Sequence, residues 1–257
     1  MDLGIKNKVA LVTGGSGIGV GSHTCRTLAA EGARVAVAYR TNEAAAKDLV
    51  DDIERAGGQA MAVAYDLHSP QVIDECVDAV VAAWGAVDIL VANAMSSPAP
   101  LATTPFASLP RDDIRRRVRT DLESTLFTLQ RVVPLMAAAG WGRVVLVSSL
   151  GCERGWAGDV PFEAAAGATK AALHGVARSL GVEFGRGGVL TNVVTPGGIL
   201  NEQLERVLTK ERLKVLQSRI ASGRFSTPQD VASCIAYLVS AANGNICGEN
   251  VHVDGGA

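Results

Sequence analysis

Short apolar runs that end in glycine or turn residues alternate with stretches of helical period along this chain. The run "KVALVTGG" (8–15) reads as a buried strand closed by glycines, and "SHTCRTLAAEGA" (22–33) follows with helical spacing and stops at Gly32. The pattern repeats as "RVAVAYR" (34–40), "EAAAKDLVDDIERAGG" (43–58) and "QAMAVAYDL" (59–67). A helix over about 70–84 leads to "VDILVANA" (87–94), a long helix over about 111–139 to "GRVVLVSSL" (142–150), and a helix over about 163–184 to "VLTNVVTPG" (189–197). "TPQDVASCIAYLVS" (227–240) and "GENVHVDGG" (248–256) close the series. Strands that are apolar throughout and alternate with helices predict a parallel sheet covered on both faces, a doubly wound α/β fold. No linker, repeat or low-complexity segment interrupts it, so residues 1–257 are expected to form a single domain.

With 48% hydrophobic residues but only 4% aromatic, the core must be packed with Ala, Val, Leu and Ile. A net charge of −2 argues against a nucleic-acid surface, and the local basic run "RDDIRRRVR" (111–119) reads as a solvated helix face or subunit edge. The five cysteines are odd in number and scattered, with no zinc-ligand or redox spacing. Reduced thiols in a cytoplasmic protein without a metal follow from that pattern, with Cys25 and Cys234 on apolar helix positions in the core. No stretch has the length of a membrane span, and the N-terminus lacks a charged segment followed by an apolar one.

The turn "TGGSGIGVG" (13–21) closes the first strand and opens the first helix. Glycines there let the backbone approach a pyrophosphate, which the free N–H groups of a helix N-terminus favour. Together with this turn, several features place the chain: Thr13-Gly14 with the Gly19 and Gly21 pair, Asp66 after the third strand, and "ANA" (92–94) after the fourth. The Ser148-Ser149 pair, Lys170, "TPGG" (195–198) and the closing "VHVDGG" complete the set. In order and spacing the chain resembles the short-chain dehydrogenase/reductase family over essentially its whole length, departing from it by one extra residue in the glycine turn.

The resemblance implies a Rossmann-type sheet, a nicotinamide dinucleotide, a small-molecule substrate and a homotetramer. It implies that Asp66 contacts adenine, that Asn93 and Ala94 line the cofactor groove, and that Thr195 to Ile199, including Pro196 and Gly197, hold the nicotinamide. The residue after the second strand separates the two cofactors. An acid there would bind the ribose hydroxyls and repel a 2′-phosphate, but "AYRTNE" (38–43) places Arg40 at that point. A guanidinium can pair with a phosphate in a bidentate way, so NADP(H) is expected, the alternative being an exposed surface arginine.

By the same resemblance, Ser149 matches the serine that orients the substrate oxygen, and Lys170 the lysine that holds the nicotinamide ribose and lowers the pKa of a tyrosine. Asp121 falls where the family carries a relay asparagine. The tyrosine itself is missing. In the commoner subgroup it lies four residues before the lysine, here Ala166. In the enoyl-thioester reductases, which "SSLGCER" (148–154) and "VPFEAAAGATKAAL" (160–173) resemble better, it lies seven before, here Glu163.

Glu163 as proton donor would need its pKa raised by roughly 2–3 units against the pull of Lys170. The alternative is a helix-capping carboxylate. Asp121 likewise reads either as a relay acid or as the ion-pair partner of Arg117 four residues before it. His174, one turn beyond Lys170, is the histidine nearest this set, Cys152 follows Ser149 closely, and Trp141 and Trp156 offer apolar surface on the substrate side.

The function expected is NADPH-dependent reduction of an activated C=C bond (enone or enoyl thioester) or a ketone. The alternatives are a non-redox dehydratase, isomerase or cyclase using Glu163 or Asp121, and a catalytically degenerate cofactor-binding protein.

Overall fold

The computed structural model describes residues 2–96, 106–154, 164–200 and 209–257. Seven strands form one parallel sheet in the order β3-β2-β1-β4-β5-β6-β7. They are β1 Val9–Val12, β2 Arg34–Tyr39, β3 Gln59–Ala64, β4 Ile89–Ala92, β5 Gly142–Val147, β6 Val189–Pro196 and β7 Asn250–Val253. Every pairing is parallel, so each return crosses through a helix. The order reverses between β1 and β4, which opens a crevice beyond their C-terminal ends.

Side chains alternate along the strands and divide the core in two. On one face Val9, Leu11, Leu90 and Leu146 pack with α3 (Pro70–Trp84), α5 (Ser124–Ala138) and α7 (Ala164–Phe184). On the other, Ala10, Val12, Ile89 and Val145 pack with α1 (Val20–Ala30), α2 (Glu43–Arg55) and a C-terminal helix at Pro228–Leu238. Both layers are aliphatic, as the scarcity of aromatic residues requires. Cys25 is fully buried in the second layer, whereas Cys234 is only half-buried.

Local signals set the helix starts. Asn42 accepts a hydrogen bond from the Ala45 N–H, and Ser69 accepts one from Val72 with Pro70 in the first turn. Thr227 and Asp230 cap each other reciprocally. Two further helices are short: α6, Gly151–Arg154, directly after β5, and α8, Lys210–Gln217, which makes the Pro228–Leu238 helix α9. The long helix expected over 111–139 is a composite. α4 (Arg111–Arg117) runs into a wider π turn, Val118–Glu123, before α5 resumes. The Ser124 N–H donates to the Arg119 carbonyl five residues before it, the bond that defines the wider turn, and Thr125 Oγ1 donates to the Asp121 carbonyl at 2.7 Å.

Trp141 does not lie on the substrate side. It precedes β5 at the opposite end of the sheet, where its ring is flanked by Lys8 at 4.1 Å and Arg143 at 4.7 Å. The Arg143 guanidinium is buried there and donates to the carbonyls of Gly142, Gly188, Ser240 and Asn243.

The first helix sits against the glycine turn without room for a side chain at Gly21. A Cβ there would stand 2.2 Å from the Gly14 carbonyl oxygen and 2.8 Å from Asn93 Nδ2. Gly21→Ala is expected to force α1 away from β1 and lower stability by about 1–3 kcal/mol, read as a drop in the urea midpoint at unchanged m-value. An unchanged midpoint would mean that α1 tilts freely.

Candidate active site

The crevice at the β1–β4 junction is a cleft of about 630 Å³. The glycine turn forms its floor through Gly14, Gly19 and Gly21, Arg40 and Asn42 line one side, and Asn93 and Ala94 the other. Gly14 has φ +66°, a conformation that favours glycine, and a Cβ there would crowd Asn93 and Ala94. Gly19 is the N-cap of α1 and no side chain caps that end, unlike α2, α3 and α9. The leading N–H groups of α1 therefore have no side-chain acceptor.

Thr13 and Asn93 shape the turn. The Thr13 side chain is buried, and its hydroxyl accepts from the N–H groups of Asn93 and Ala94, both at 3.0 Å. Asn93 Nδ2 donates to the carbonyls of Thr13 at 3.1 Å and Gly14 at 3.2 Å. Thr13 therefore fixes the wall without lining the cleft, while Asn93 does both.

Arg40 is exposed at the end of β2, and no hydrogen bond or ion pair holds its guanidinium among the described residues. Asp66 lies between two residues that line the cleft, Tyr65 and Leu67, but its carboxylate is engaged by the backbone N–H of His68 at 2.9 Å and the imidazole at 2.8 Å. Partial burial pushes the Asp66 carboxyl up, but these hydrogen bonds and the nearby charges of His68 and Arg40 more than offset it and hold the group below the usual carboxylate range.

The strand ends beside the cleft bring the other residues together. Ser148 N–H donates to Val194 O and Leu150 N–H to Pro196 O, so Ser149 stands next to the end of β6. The Ser149 hydroxyl accepts from the Gly151 N–H at 3.3 Å, which leaves its own hydrogen to donate. Gly197 packs so closely on Asp254 that a Cβ would come within 2.7 Å of the aspartate Cβ, and Ile199 bridges to Ser226.

Lys170, on the buried face of α7, donates from Nζ to the Val147 carbonyl at 2.6 Å. Burial pushes the Lys170 ammonium down to about 8, against the opposing pull of Asp121 and Cys152 and with the Arg117 charge adding to the fall.

Asp121 is buried, and its carboxylate already has partners. Oδ1 accepts from the Ser96 N–H at 2.7 Å, and Oδ2 pairs with Arg117 at 3.3 Å. Arg117 also donates to the Ser96 carbonyl at 2.9 Å and its hydroxyl at 2.7 Å. Of the two sequence readings for Asp121, this geometry favours the ion pair. It also corrects the reading of the basic run, because Arg117 is turned inward while Arg115 and Arg116 pair with Asp112 and Asp113 outside. The Arg117–Asp121 spacing of four was the signal available. Glu163 and Trp156 lie outside the described residues, whereas Ala166 is buried on α7.

The depressed Lys170 pKa carries a sign. The unfolded chain keeps its lysine protonated to about pH 10.5, whereas the folded protein sheds the proton near 8. Between those values the unfolded state binds more protons, so stability rises with pH. Relative to Lys170→Met, the parent protein is expected to gain up to about 3 kcal/mol from pH 8 to 10.5 in chemical denaturation. A flat difference would mean that the ammonium is solvated in the fold.

Comparison with known proteins agrees with this architecture. The family described as enoyl-(acyl carrier protein) reductase matches residues 15–257. L-Rhamnose 1-dehydrogenase (NAD(P)(+)) of Sphingomonas sp. (strain SKA58) is 31% identical over 254 residues, covering 98% of this chain and 96% of the relative. 1-Cyclohexenylcarbonyl-CoA reductase of Streptomyces collinus is 33% identical over 254 residues, covering 98% and 87%. Among solved structures, 7α-hydroxysteroid dehydrogenase complexed with NADH and 7-oxo glycochenodeoxycholic acid superposes with a TM-score of 0.90 at 30% identity, covering 100% of this chain and 96% of that one. A parallel sheet reversing at β1–β4, a glycine turn wedged against Asn93, and matches of this length and identity have one reading: the chain belongs to the short-chain dehydrogenase/reductase family.

Proposed function

We propose that the protein is an NADP(H)-dependent oxidoreductase that reduces an activated C=C bond, in an enone or enoyl thioester, or a ketone. The observation that carries the cofactor assignment is Arg40, which lines the cleft at the end of β2 with no acidic residue at that point. The fit extends to the turn, because side chains at Gly14 and Gly21 would crowd Asn93 and the turn backbone where the dinucleotide would pass. Gly19 and the N-terminus of α1 would hold the pyrophosphate, Arg40 the 2′-phosphate, Lys170 the nicotinamide ribose, and Pro196, Gly197 and Ile199 the nicotinamide.

When bound, NADPH supplies the hydride. The chain's own part is to orient the substrate and stabilise charge. Ser149 has an O–H free to donate to the substrate oxygen, where charge collects during either reduction. In alkene reduction that oxygen becomes an enolate, and the carbon proton can arrive later from water. In ketone reduction the alkoxide needs its proton promptly, and the family's tyrosine is missing. The gap therefore supports the alkene reading, as does the similarity to 1-cyclohexenylcarbonyl-CoA reductase. The engagement of Asp121 by Ser96 and Arg117 weighs against a non-redox reaction using that carboxylate.

We also propose a cytoplasmic homotetramer. All five cysteines are unpaired, and among the described residues no helix is long and apolar enough to cross a membrane. Leu126 and Leu135 on α5 and Val182 on α7 leave apolar surface on the helices expected to meet other subunits, an arrangement that light scattering would read as four chains.

One panel tests the reading. Purified protein is mixed with NADPH or NADH and a series of enones, enoyl thioesters and ketones, and nicotinamide absorbance is followed. Consumption of NADPH with enones or enoyl thioesters, faster than with ketones, is expected; substrate conversion without absorbance loss overturns the redox assignment. Arg40→Ala should narrow the NADPH preference on the order of ten- to a hundred-fold, the size of one lost charge-assisted contact. Glu163→Tyr should raise ketone reduction if the tyrosine position of the enoyl-thioester reductases applies; a gain with Ala166→Tyr instead moves the chain to the commoner subgroup.

A further inference from the structure

Away from the cofactor cleft, α6, α7 and β7 bring sulfur, nitrogen and oxygen donors to one point. Cys152 and Glu153 come from α6 and His174 from α7, and one donor atom of each lies within 4.8 Å of the other two. None of the three lines the cleft, and all are partly accessible.

Hydrogen bonds surround the cluster and are compatible with a metal-binding protonation state. Ser148 Oγ stands 3.1 Å from the Lys170 carbonyl and 3.0 Å from His174 Nε2, and when its one hydrogen goes to the carbonyl it receives the N–H of Nε2. In that tautomer the lone pair of Nδ1 faces Glu153 Oε1, at 3.9 Å. Two acceptors facing each other at that distance make no hydrogen bond, but they leave room for a cation bonded to each at about 2.0–2.2 Å. The Cys152 sulfur lies 4.0 Å from Nε2 of the same ring, and one donor atom of each of the three residues falls within 4.8 Å of the others. Glu153 is held from behind, with Oε1 accepting from Asn250 Nδ2 at 2.6 Å and Oε2 from His252 Nε2 at 2.7 Å, both on β7. Ligands that are themselves oriented by outer partners characterise metal sites.

We propose that Cys152, Glu153 and His174 bind a divalent transition metal of the zinc class, with a fourth position open to water or an exogenous ligand. The thiolate and imidazole select zinc or cobalt over magnesium or calcium, which prefer oxygen alone. Closing the donors to tetrahedral spacing takes a contraction of about 0.5 Å between Nδ1 and Oε1 and of up to about 1.2 Å for the sulfur, a movement that falls on the four residues of α6. Binding converts the Cys152 thiol to a thiolate and releases its proton to solvent. The metal would pin α6, which follows Ser149, to α7, which carries Lys170. The sequence shows no metal-ligand spacing because the residues that build and support the site are spread over more than 90 positions.

The test is a titration of the full-length protein with Co²⁺, in a phosphine reductant that does not compete for metal. One equivalent should bind with a thiolate-to-cobalt absorption in the near ultraviolet, and Zn²⁺ should displace it. Cys152→Ser should abolish that band while Cys247→Ser keeps it, and His252→Ala should weaken Zn²⁺ binding by about 10–100-fold. Circular dichroism and melting curves establish that each variant is folded; if Cys152→Ser is not, the band in the parent and the His252→Ala affinity decide. No binding, binding without the band, or a band that survives in folded Cys152→Ser overturns the site.

Discussion

The hydroxyl of Thr13 joins the two strands between which the sheet reverses. It accepts the N–H groups of Asn93 and Ala94 at the end of β4, with the Val91 carbonyl 3.4 Å away to take its proton. Asn93 answers by donating to the carbonyls of Thr13 and Gly14. This reciprocal knot sets the left-handed conformation of Gly14, and Gly14 in turn sets how closely α1 can approach through Gly21. The cleft, its anion-seeking helix end and its position beside Arg40 all follow from it. Each N–H that lost its partner here would cost about 1–3 kcal/mol, so the knot is stiff.

At the far end of the cleft the dominant constraint is burial of charge. Lys170 keeps an ammonium in a place that disfavours it, supported by the Val147 carbonyl and by Asp121. Asp121 is in turn held by Arg117, and Arg117 by Ser96, so the loop after β4 is tied to the helix that faces α7. A buried carboxylate with two donors on it is a poor proton shuttle and a good electrostatic anchor. Its effect on catalysis would pass through the ionisation of Lys170.

Much of the fold was legible because strands buried on both faces are written as continuous apolar runs, and Asn42, Ser69 and Thr227 mark helix starts. Gly14 and Gly21 were legible for the same kind of reason, since each answers a local backbone requirement. What escaped depends on which way a residue faces. Arg117 sits in a run of arginines that periodicity assigns to solvent, and a wider turn directly after it defeats a period of 3.6. Trp141 was misplaced because sequence proximity to β5 does not say which end of the strand is meant. Glu153, His174 and His252 meet only when β5, α7 and β7 assemble, and no local pattern records that meeting.

The π turn at Val118–Glu123 has a topological side. It stores one residue more than regular winding would need, a defect of linking between two otherwise ordinary helical rods. Because a wide turn winds fewer degrees per residue, excising one residue there lets the rods fuse into a regular helix at nearly unchanged phase. Changing the length with the wide turn kept instead rotates α4 by about 100° relative to α5. Arg117 would keep its place beside Ser96 in the first case and swing away from it in the second, with the core contacts of α5 unchanged. The wide turn therefore acts as slack in the rod, taking up a change of length that a regular helix would pass on as rotation of the groups around Lys170.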